Sequence, residues 1–91
     1  MLDIGADAGA LVLYADASHL GREVWVSRRG ESARIHVEIL QRSVRAGQVY
    51  AAVFPTLREG GYEIWFGGSK PVAEATIVAG EVREMRLIPL G

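Results

Sequence analysis

Alternation is the strongest constraint on this chain. No stretch carries an apolar pattern of helical period through three turns. Short runs of alternating apolar and polar residues recur instead, each bounded by Gly, Pro, Asp or Ser. Seven such runs stand out, over residues 9–15, 22–28, 34–40, 48–54, 62–66, 72–78 and 82–87. A single helical turn fits near residues 17–20. Strands this short, separated by turns, cannot bury an apolar face alone and must pack sheet on sheet. The spacing predicts an all-β fold, an antiparallel β-sandwich of about seven strands.

The same alternation assigns faces, because successive side chains of a strand point to opposite sides. In 34–40, Ile35, Val37 and Ile39 are expected inward, with Arg34, His36 and Glu38 outward. In 22–28, Val24 and Val26 are expected inward, with Glu23, Trp25 and Ser27 opposite. In 62–66, Tyr62, Ile64 and Phe66 form the inward set, and Glu63 and Trp65 face out. Runs 9–15 and 48–54 are apolar on both faces, so they are expected to be central or covered.

The stretch VYAAVFPTLREGGYEIW breaks this regularity. Pro55 lacks the N–H that a sheet ladder needs, so it is expected to end the strand before it. Leu57 can fall back into the core. Gly60 and Gly61 permit the positive φ of a sharp corner. Tyr62 then starts the next strand pointing inward, its hydroxyl free to bond backbone of the corner. That is the arrangement of a tyrosine corner, which ties a crossing between the sheets of a Greek-key sandwich.

Phe54, Pro55, Leu57, the glycine pair and Tyr62 read F-P-x-L-x-x-G-x-Y. This resembles the corresponding step of the prealbumin-like sandwiches, among them carboxypeptidase regulatory-like domains and Cna B-type repeats. The resemblance implies a seven-strand, two-sheet Greek key. It carries no function by itself, since such domains serve as stalks, binding modules, appendages and, in one branch, enzymes. The lysine–asparagine isopeptide bond of Cna B-type repeats has no counterpart here, because the chain has no Asn and a single Lys, Lys70. The Tyr-Arg-Gly-Ser motif of transthyretin-related hydrolases is absent from the sequence, so no catalytic residue carries over.

Composition narrows the function classes. The 91 residues suit one domain spanning 1–91, with 1–8 expected as a flexible lead. The absence of cysteine removes disulfides, thiol catalysis and thiolate metal sites. A net charge of -1 argues against a general nucleic-acid binder. The longest apolar run falls far short of the ~20 residues needed to span a bilayer. Asp3 and Asp7 stand where a secretory signal would carry basic residues, which points to a cytoplasmic protein. The preference for Arg over Lys, with no Asn, is usage typical of a GC-rich bacterial genome.

Candidate chemistry is sparse. The serines lie in turns or at strand ends without a nucleophile-elbow context, and His19 and His36 have no evident triad partners. No metal site and no cofactor are expected, and catalytic residues are assigned to no position. The second and third runs and the turn after them are rich in arginine (Arg22, Arg28, Arg29, Arg34, Arg42, Arg45), a bias that could suit an anionic ligand or acidic partner. The tryptophans are more informative. Trp25 and Trp65 both fall on outward faces, where aromatics anchor protein interfaces or stack on sugar rings. Trp65 is expected to be the more exposed and Trp25 partly covered. The candidate binding face comprises Trp25, Trp65, His36, Arg34 and Glu63. The leading expectation is a non-catalytic interaction or accessory module that presents this face to a protein partner or a second copy. A carbohydrate-binding module is the alternative, and a small transthyretin-related hydrolase the third. Neither membrane nor nucleic acid is an expected partner.

Overall fold

A computed structural model describes residues 7–87. The chain forms eight strands: β1 (Ala8–Ala15), β2 (Glu23–Arg28), β3 (Arg34–Glu38), β4 (Leu40–Val44), β5 (Gly47–Arg58), β6 (Gly60–Trp65), β7 (Pro71–Ile77) and β8 (Val82–Arg86). A 3-10 turn at Ala17–His19 follows β1. Two four-stranded sheets result. Sheet A has the order β4-β5-β1-β8 and sheet B the order β3-β2-β6-β7. The expected all-β, two-sheet architecture is present, and runs 9–15 and 48–54 supply the two central strands of sheet A.

The chain changes sheet four times, and each crossing has its own device. The 3-10 turn carries β1 to β2. Between β3 and β4 a single residue suffices. Ile39 is fully buried, its N–H donates to the Arg22 carbonyl (2.9 Å) and its carbonyl accepts from the Gly21 N–H (2.8 Å). Run 34–40 is therefore not one strand. It swings from sheet B to sheet A at Ile39, and the residues after it form β4, a strand in addition to the seven expected. The β5–β6 crossing is the tyrosine corner. The Tyr62 hydroxyl donates to the Arg58 carbonyl at 2.7 Å, four residues upstream. Gly60 takes φ +137, and a Cβ there would meet the Arg28 guanidinium at 3.0 Å.

The fourth crossing, β7 to β8, brings the chain back to sheet A beside β1, running the same way. β1 and β8 pair in parallel, with Val12 opposite Glu84 and Tyr14 opposite Arg86. Sheet A is thus mixed rather than antiparallel throughout. Alternation reports which side a residue faces but is blind to strand direction. Gly9 makes the close approach possible. A Cβ at this position would meet the Val78 carbonyl at 2.5 Å and the Glu81 carbonyl at 2.8 Å. β1 begins at Ala8, so the expected flexible lead does not include that residue; residues 1–6 lie outside the described region.

Pro55 does not end a strand. β5 runs on to Arg58, and the register with β1 shifts between Gly9–Leu57 and Leu11–Phe54. The bulge places Pro55 where no ladder N–H is required. β4 pairs with β5 only as far as Ala51, so the later part of β5 has a free edge on that side. A proline and a bulge there deter strand addition. Leu57 is buried, as the corner required.

The core lies between the sheets. Leu11, Leu13, Phe54 and Leu57 of sheet A meet Val24, Val26, Tyr62, Ile64 and Ile77 of sheet B. Val37 packs against this cluster from β3. Ile35, one pleat along the same face, does not. It is 51% exposed, because β4 leaves no strand opposite it. The gap is an apolar notch of about 260 Å³ floored by Val26, Ile35, Leu57 and Tyr62.

Candidate functional site

The outer face of sheet B gathers all five candidate residues. Strand register sets them in two adjacent rows. His36, Trp25 and Trp65 lie side by side across β3, β2 and β6. In the next row Arg34, Ser27 and Glu63 do the same, with Glu74 of β7 beyond. Rows two residues apart on one face are about 7 Å apart, within reach of aromatic and long side chains.

Contacts cross between the rows. The Trp65 indole N–H donates to the Ser27 hydroxyl at 3.0 Å, and Ser27 is buried although it sits on an outer face. The Arg34 guanidinium lies 3.8 Å from the Trp65 ring centroid. The Trp25 and His36 rings are 4.3 Å apart and tilted by 40°. His36 in turn sits 3.6 Å from Glu23. A cation over an indole contributes about 0.5–2 kcal/mol, depending on exposure. These contacts hold both indoles in fixed positions.

Both tryptophans are half-buried. Trp65, expected as the more exposed, is the one pinned by Ser27 and covered by Arg34. The cause is strand order. β2 and β6 are both interior to sheet B, so each indole has a strand on either side. Phe66 leaves the strand and packs at the end of the core, with the Arg22 guanidinium 4.3 Å from its ring centroid and the His19 ring 5.5 Å away.

The arginine-rich segment does not form one basic patch. Arg28 pairs with Glu31 (3.6 Å) and Arg29 with Glu74 (2.9 Å). Arg22 and Arg34 lie over aromatic rings, and Arg42 belongs to the other sheet. Among the described residues, no three His, Asp or Glu side chains are grouped so that they could hold a metal ion. Ser18 Oγ lies 3.4 Å from His19 Nδ1 on an exposed turn. His36 lines neither the apolar notch nor a second cleft of about 350 Å³ beside Tyr14, Tyr50 and Arg86.

Ser27 was missed as a candidate. Its only sequence signal was its place two residues from Trp25 in an alternating strand. No helix of the described residues is long and apolar enough to cross a membrane. In comparisons with known proteins, no family model, no curated protein and no solved structure matches the chain.

Proposed function

We propose that this chain is a non-catalytic interaction module that docks a protein partner on the outer face of sheet B. The observation that carries the reading is the row of His36, Trp25 and Trp65, with Arg34 laid over Trp65. Trp and Arg are the side chains that most often dominate binding energy at protein interfaces. Held in place before binding, they lose little rotamer entropy on docking. Glu23, Glu63 and Glu74 surround the aromatic row with charge, as a polar rim does. We further propose that the fold is a Greek-key member of the prealbumin-like class, of the carboxypeptidase regulatory-like kind. Its support is the Tyr62 hydroxyl bonded across the β5–β6 crossing. The Arg34 guanidinium occupies one face of Trp65, which leaves a poorer platform for a sugar ring than a bare indole.

The test is affinity capture with wild type and Trp65→Ala in parallel, both shown to be folded. The expected result is a protein retained by wild type and reduced about tenfold or more by the substitution. Equal retention by the two overturns the reading. Saturable quenching of tryptophan fluorescence by oligosaccharides, with no protein retained, would replace it with carbohydrate binding.

A further inference from the structure

The switch of sheet at Ile39 leaves one place in the sandwich unfilled. β4 pairs with β5 no further than Ala51, so among the described residues no strand runs on that side of Thr56 and Leu57. Ile35 of β3, on the core side of its strand, is left 51% exposed. The apolar notch of about 260 Å³ lies there, with Val26, Ala33, Ile35, Leu57 and Tyr62 as its apolar lining. A cavity of about 150 Å³ can hold benzene, so this one has room for an apolar body of about ten non-hydrogen atoms. Concave apolar sites with a few placed polar groups are where small molecules bind.

Four charged residues border the notch: Arg28, Arg34, Arg58 and Glu31. Arg34 lays its guanidinium over Trp65, on the outer face of sheet B. Arg58 is highly exposed and reaches Asp7 at 3.9 Å. Arg28 is the cation that belongs to the notch. Its guanidinium stands beside the Tyr62 ring, and Nη1 donates to the Glu59 carbonyl at 2.9 Å. Its Nε is 3.6 Å from Glu31, beyond hydrogen-bond length. Most of its N–H donors therefore have no acceptor among the described residues. A planar guanidinium with donors to spare matches the two oxygens of a carboxylate.

We infer that the notch binds a small monocarboxylate with an apolar tail. The tail lies against Val26, Ile35 and Leu57, and the carboxylate sits on Arg28 in place of the loosely held Glu31. A free small molecule fits better than an extended peptide. Pro55 and the bulge in β5 break the ladder that an added strand would use. The site does not depend on the tryptophan row of sheet B.

Octanoate matches the size of the notch and serves as the probe. Its titration is followed by methyl NMR. The expected result is a shift of the Val26, Ile35 and Leu57 methyls with a dissociation constant of about 0.1–1 mM. 1-Octanol, which has the chain without the charge, should bind about tenfold more weakly, and so should octanoate to Arg28→Gln. Glu31→Gln should tighten octanoate about twofold or more, because it releases Arg28. Ile35→Asp, at a residue exposed in the free chain, should abolish binding and leave the fold intact. Four results would overturn the inference. They are equal binding of octanol and octanoate, binding that survives Ile35→Asp, weaker binding by Glu31→Gln, and shifts as large at the exposed Val44 and Val82 methyls as at Ile35. A short peptide ending in leucine that fills the notch when octanoate does not would likewise overturn it.

Discussion

Tyr62 shows how one side chain fixes the route of the chain. Its ring fills the core and its hydroxyl closes the corner through the Arg58 carbonyl, so the two contributions can be separated. Tyr62→Phe keeps the ring and should cost about 0.5–1.5 kcal/mol, the net contribution of one hydrogen bond. Tyr62→Ala should cost about 3–5 kcal/mol. Urea melts decide, and equal midpoints for wild type and Tyr62→Phe would show that the hydroxyl ties nothing. Tyr14 gives a second residue-scale expectation. Its hydroxyl donates to Glu84, and this hydrogen bond, with smaller contributions from burial and from the carboxylate charge, holds the phenol above its ordinary titration range. A raised phenol favours the protonated folded state. The stabilisation is present below the ordinary tyrosine pKa and is lost as pH rises through the raised value. Glu84→Gln should therefore lower the alkaline titration midpoint of Tyr14, followed by phenolate absorbance against a Tyr14→Phe control. An unchanged curve would separate Tyr14 from Glu84.

At the scale of the element, β3 separates what alternation reveals from what it hides. Parity correctly sends Val37 to the core side and His36 to the surface. It sends Ile35 inward as well, yet β4 has no residue opposite it and the side chain lies in an open notch. Val37→Asp should destabilise the domain by about 2–4 kcal/mol. His36→Asp and Ile35→Asp should each stay within about 1 kcal/mol of wild type. Thermal melts of the three variants check this, and a severe Ile35→Asp would show that the notch is closed in solution. Seven of the eight strands, most of their faces and the corner were legible because each depends on neighbouring residues in the chain. The switch of sheet at Ile39, the parallel β1–β8 pair and the passage of β5 through Pro55 were not. Each is decided by what lies beside the strand, tens of residues away. The candidate site fared similarly. Parity put Trp25, His36, Arg34, Glu63 and Trp65 on outward faces, but only the register of β3, β2 and β6 made them one patch and brought in Ser27.

At the scale of the molecule, the two broad faces of the sandwich differ in chemistry. The outer face of sheet A sets apolar Leu40, Val44 and Val82 beside Arg42, Glu84 and Arg86. Sheet B carries braced aromatics within a charged rim, which suits a protein partner. Both tryptophans of the chain lie on sheet B, so tryptophan emission, excited apart from the tyrosines, reports on that face. The most direct measurement is acrylamide quenching of tryptophan emission, with and without saturating captured partner. The account predicts that quenching falls several-fold when the partner binds, because docking excludes solvent from the aromatic row. Quenching that is unchanged at saturation would contradict it, and would place the partner elsewhere on the molecule.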